Sequence, residues 1–151
     1  MSADQPPLFF RPVLGSLRPA SKAAEDAMKA VTGTVTVKLG KVTRNQRRRG
    51  YYWVLLATAA EVLQDRDGQP WDAELLHAEL KRALRLGTIL TTPSGREVFK
   101  PASTADAKMS EQDRARWLDR VSNALSQWTG VPTGDLMREA KERDAQIGEA
   151  A

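Results

Sequence analysis

Apolar positions change period several times along this chain, and each change predicts an element. Residues 8–13 (LFFRPV) read as a short strand, with Pro12 at an edge because proline cannot donate to a ladder. Ser21 suits a helix N-cap, with Glu25 and Asp26 in the first turns and Gly33 beyond the end. Residues 34–39 alternate Thr-Val-Thr-Val-Lys-Leu, the period-two pattern of a half-buried strand. A long helix then covers 44–64, and at 100° per residue Tyr52, Leu55, Leu56, Ala59, Val62 and Leu63 share its core face. Trp53 falls on the opposite side, with Gln46, Arg49 and Ala57. A large aromatic there predicts a subunit interface or a base-stacking platform.

The run Asp65-Arg66-Asp67-Gly68 ends that helix. It has a D-x-D-G look but lacks the downstream glutamate of a calcium loop, so it reads as a turn. Asp72 caps the next helix, whose buried stripe is Leu76, Leu80, Ala83 and Leu84, with Trp71 just outside it. Residues 88–92 and 96–100 flank Pro93-Ser94-Gly95 and read as a hairpin. Ser110 with Asp113 resembles a capping box. The helix behind it carries Trp117, Leu118, Val121, Ala124, Leu125 and Trp128 on one face and stops at Gly130 and Pro132. A last helix spans 133–143. The expected fold is α+β: about four helices packed with two pairs of short strands. The expected organisation is a flexible N-terminus at 1–7, a single domain at 8–143 and a flexible tail at 144–151.

Composition sharpens this in one respect. The chain has 151 residues and a formal net charge of +4, but residues 1–60 hold ten Lys/Arg against three Asp/Glu. Between Asp26 and Glu61 there is no acidic residue. Inside that window Lys38, Lys41, Arg44, Arg47, Arg48 and Arg49 run straight into Tyr51, Tyr52 and Trp53. Clustered cations attract a polyanion, and flat rings beside them suit unstacked bases better than a smooth duplex. The competing reading is a solvated helix start whose aromatics belong to the core. Without cysteine the chain can form no disulfide, and no apolar run reaches the roughly 20 residues of a membrane span. These features favour a soluble protein of a reducing cytoplasm, with no membrane association.

Groups for catalysis are scarce. The lone histidine, His77, lies on a helix edge and without cysteine cannot build a structural zinc site. Glu61, Asp65, Asp67 and Asp72 are close in sequence but straddle a turn without a motif, which leaves a magnesium nuclease a weak alternative. Neither a GxxxxGK[ST] nor a GxGxxG loop is present. No catalytic residue, cofactor or metal is expected.

The order of features resembles the NinB (Orf) recombination proteins of lambdoid phages and a related prophage family of unknown function. The likeness covers about residues 8–143. It rests on Arg44 and Trp53 in the basic segment, Leu80-Lys81 with His77 before them, Ser103, Thr104 and Met109 after the hairpin, and the closing Gly130-Val131. Arg48-Arg49 stand where that family has a Gln-Asn pair. What the resemblance implies is a homodimer in the cytoplasm of a bacterial host. Such a protein prefers single-stranded DNA and helps load a recombinase against the host single-strand-binding protein. The expected function is therefore a non-enzymatic accessory protein. Lys38, Lys41, Arg44, Arg47, Arg48 and Arg49 would meet phosphates, and Tyr51 or Trp53 would stack a base or close the dimer. The alternative of another class is an adaptor that docks a protein partner through Trp53 and the Trp117/Trp128 helix.

Overall fold

The computed structural model describes residues 5–41, 44–105 and 108–150. Its first element is a hairpin, β1 (Phe10–Val13) and β2 (Ser16–Pro19), paired antiparallel from Phe10↔Pro19 to Val13↔Ser16. The two-residue turn is Leu14-Gly15, both in the left-handed region at φ 49° and 79°. That geometry matches the right-handed twist of the flanking strands. Ser21 then caps α1 (Lys22–Ala30), its hydroxyl accepting from the Ala24 amide at 3.2 Å.

Residues 34–39 form no strand, contrary to their alternating pattern. All six are exposed, Val35 and Val37 at 52% and 53%. The partner that the pattern called for is taken. The first strand closes on β2 through a two-residue turn, which costs far less chain entropy than a return across some twenty residues. The two expected strand pairs are therefore present, but the first is a local hairpin.

The long helix, α2 (Arg44–Asp67), outruns its expected end by one turn. It touches α3 (Ala73–Ala83), α4 (Glu111–Thr129) and α5 (Thr133–Ala150), most extensively the last. A second hairpin, β3 (Gly87–Thr91) with β4 (Glu97–Pro101), projects between α3 and α4. Asp72 caps α3 by accepting from the Leu75 amide at 2.8 Å, and Ser110 caps α4 through the Asp113 amide at 3.1 Å. Gly130, left-handed at φ 74°, ends α4 as expected. The last helix does not stop at residue 143, and residues expected to be a tail continue it to Ala150.

The domain is thus α+β, five helices with two two-stranded antiparallel sheets. Its core is Leu55, Leu56, Ala59 and Leu63 of α2 against Leu76 and Leu80 of α3, Val121 and Leu125 of α4, and Leu136 and Ala140 of α5. Ala83, expected in the α3 stripe, is exposed. Trp53 is also a core residue, only 6% exposed, which corrects its placement on the solvent side of α2. An amphipathic wheel assumes one covered face, and α2 is covered on several. No described helix is long and apolar enough to cross a membrane.

Candidate nucleic-acid interface

The basic run occupies the start of α2 and the segment before it. The first turn of α2 holds no acidic residue. Cations at a helix N-terminus oppose the positive end of the macrodipole, so this arrangement works against the helix by a few tenths of a kcal/mol per charge, about 0.3–1. An anion at the same place would reverse that sign. Lys38 and Lys41 are exposed on the irregular segment ending at residue 41. The side chain of Arg44 lies outside the described residues.

The three remaining arginines differ. Arg47 is exposed and close enough to Asp144 of α5 to oppose the rise that burial imposes on that carboxyl. Arg48 donates to Glu111 of α4 at 2.6 Å. Sequence distance concealed this pairing, because the acid-free window says nothing of residues brought in by another helix. Both side chains are well exposed, so the pair exchanges readily and contributes about 0–1 kcal/mol. Arg49 is half-buried and reaches the Gln5 carbonyl at 3.4 Å. Next to it Gly50 is buried under Phe9, whose ring would lie 2.6 Å from a Cβ at this position. The N-terminal segment therefore lies across α2 where the arginines give way to aromatics.

The aromatic run then divides. Trp53 and His77 meet at a ring separation of 4.9 Å with planes tilted by 51°, and Tyr52 meets both rings edge-on at 5.8 and 5.6 Å. The Tyr52 hydroxyl and His77 Nδ1 share a hydrogen bond of 2.7 Å. His77 is thus buried inside an aromatic cluster rather than placed on a helix edge. Tyr51 is half-buried, and its hydroxyl has no hydrogen-bond partner among the described residues. Burial, and then the Asp144 charge, push that phenol above its ordinary pKa, so it stays a donor at neutral pH.

Between α2 and α4 these residues enclose a cavity of about 260 Å³. Tyr51, Tyr52, Trp53 and Trp117 supply aromatic walls, with Met109 and Leu118 beside them. Arg48, Arg49, Arg114 and Glu111 line it as well. The indole N–H of Trp117 is buried without an acceptor among the described residues. An unsatisfied buried donor costs about 1–3 kcal/mol. No family model, curated protein or solved structure matches this chain. The site has to be read from its own chemistry.

A larger groove, about 660 Å³, also borders Trp53 and lies between α1, the middle of α2 and the start of α3. Its charged lining is Asp26, Glu61, Asp72 and Glu74 against Lys22 alone, which repels a polyanion. Three of the four carboxylates considered for a nuclease have structural tasks. Glu61 accepts from Arg143, Asp67 from Arg66, and Asp72 caps α3. Among the described residues no group of three or more His, Asp or Glu could hold a metal ion.

Sequence reasoning missed Met109, Glu111, Arg114 and Trp117 as parts of this site. The signal available was the spacing of Arg114 and Trp117, three apart and hence on one helix face. Nothing in the sequence indicated that this face meets the start of α2.

Proposed function

We propose that this chain is a non-enzymatic accessory protein that binds single-stranded nucleic acid at the basic start of α2. The observation carrying the proposal is the union of an acid-free helix start with an aromatic cavity of the same helix. Exposed Lys38, Lys41 and Arg47 are available to phosphates along one stretch of chain, and Arg48 can exchange Glu111 for a phosphate. Single strands are favoured over duplex because a concave aromatic wall is useful only to a base that has left its stack. DNA as the nucleic acid, and recombination as the setting, follow from the likeness to the NinB proteins. The homodimer belongs to the same reading, but buried Trp53 is not its contact.

Titration of labelled oligonucleotides at several salt concentrations tests this. If four or five cations meet phosphates, the log–log slope on single strands is near −3, taking roughly −0.7 per contact. Glu111→Gln frees Arg48 and tightens binding. Absence of binding at low salt, or preference for duplex, overturns the proposal.

A second reading has one observation in its favour. Val35, Val37 and Leu39 are exposed on a segment with strand-like sequence and no strand partner among the described residues. An adaptor could use them to dock a protein by strand addition. Wild-type behaviour of a Val35→Ser, Val37→Ser variant in nucleic-acid binding separates that surface from the basic site.

A further inference from the structure

We infer that the cavity between α2 and α4 is a pocket for one unstacked nucleobase of a bound single strand. This inference rests on the reading of the site as a single-strand binder and adds to it which residues take a base. Size is the first argument. Pockets for drug-sized ligands run to about 300–1,000 Å³, and a cavity of about 260 Å³ falls just below that range. It has room for a single ring system and leaves sugar and phosphate outside.

The lining is the second argument. Tyr51 of α2 and Trp117 of α4 bring aromatic rings to the lining from two different helices, and Met109 and Leu118 add apolar side chains. A base needs such rings because all four bases share a π surface, whatever their edges carry.

Charge is the third argument. Arg48 and Arg49 from α2 and Arg114 from α4 line the same cavity, so a base entering it carries its flanking phosphates towards guanidinium groups. Glu111 is the one carboxylate in the lining, and Arg48 already occupies it at 2.6 Å. A free apolar ligand would gain nothing from those arginines. A nucleotide within a strand uses both parts.

The test compares an oligothymidylate with a strand of equal length whose residues are all abasic. Both carry the same phosphates, so only base contacts distinguish them. Wild-type protein should bind the base-bearing strand roughly tenfold or more tightly, within the range expected of base–aromatic stacking. Ala115 is exposed and also lines the cavity, so Ala115→Phe fills the pocket from the solvent side without disturbing the core. That variant should lose the preference while its affinity for the abasic strand and its salt slope stay as they were. Tyr51→Ala, which removes an aromatic ring from the lining, should lose part of it and serves if Ala115→Phe fails to fold. Equal wild-type affinity for both strands overturns the base pocket and leaves single-strand binding intact. A preference that survives Ala115→Phe also overturns it, since the bases then stack elsewhere. Failure to bind either strand at low salt overturns the single-strand reading itself.

Discussion

The helical body from residue 44 onward and the layer of residues 5–41 follow different rules. In the body, four helices enclose one core, and seven of its leucine and valine side chains are fully buried: Leu55, Leu56, Leu76, Leu80, Leu125, Leu136 and Val121. In the layer, Ala24 is the only buried hydrophobic among the described residues. Leu14, Val35, Val37 and Leu39 stand exposed there, and Phe9 over Gly50 is one of the few anchors. Buried apolar area supplies most folding free energy, so stability belongs to the body. The cations lie at the seam, where the proposed polyanion would meet them without weakening the core. On that proposal fold and binding belong to separate residues, and substitutions can pull them apart.

Leu55→Ala should have the largest effect. It removes a fully buried side chain at the centre of α2 and should cost about 2–5 kcal/mol. Chemical denaturation measures this, and a loss below about 1 kcal/mol would contradict the location of the core. Binding by the fraction still folded should be normal.

The triple variant Arg47→Ala, Arg48→Ala, Arg49→Ala should show the reverse. Arg47 is exposed, the Arg48–Glu111 pair is solvated, and the Arg49 contact to Gln5 is long. Their combined contribution to stability is about 1 kcal/mol or less, partly offset by relief at the helix N-terminus. Affinity for single strands should fall sharply, and the salt slope should flatten by roughly 2 if each arginine displaces one counterion. A variant that unfolds while its folded fraction still binds normally would make these arginines structural.

The same contrast explains what was legible in the sequence. Caps were legible because Ser21, Asp72, Ser110 and Gly130 act within a few residues of themselves, and all four work as their types require. The body's main stripes were legible because a period of 3.6 survives folding. Residues 34–39 misled because alternation states a preference for a sheet without supplying one. Trp53 misled because a helical wheel ranks faces, whereas the uncharged run 53–60 (WVLLATAA) was the better sign of a helix covered all round. The cavity was out of reach, since it depends on the approach of Trp117 and Glu111 to residues more than sixty positions earlier.

Asp144 tests the seam from the side of the body. Burial raises its pKa above the ordinary 3.8, and Arg47 only partly counters this. Above the unfolded value the native state therefore holds its proton more tightly than the unfolded chain. Stability falls as pH rises from the unfolded to the folded pKa, and the deficit persists at neutral pH. Asp144→Asn should raise the melting temperature at pH 7, with the gain shrinking as the pH drops below about 4. Constant gain across that range would show that the carboxyl is not the cause. Because the residue is half exposed, the shift should be smaller than that of Leu55→Ala.

The smallest effect belongs to the layer. Leu14 holds a left-handed conformation at φ 49° with its side chain wholly in solvent, so it bears backbone strain with no packing in return. Asparagine tolerates that region and favours the turn, which should stabilise the β1–β2 hairpin by about 0.5–1 kcal/mol in Leu14→Asn. In a fully cooperative fold the whole gain would appear in global unfolding. Here the layer is joined to the body by few contacts, so it should open locally before the core does. Hydrogen exchange should then slow at the hairpin amides, while the denaturation midpoint of the whole protein barely moves. A midpoint that rises by the full amount would join layer and body into one cooperative unit, and the division drawn between them would fail.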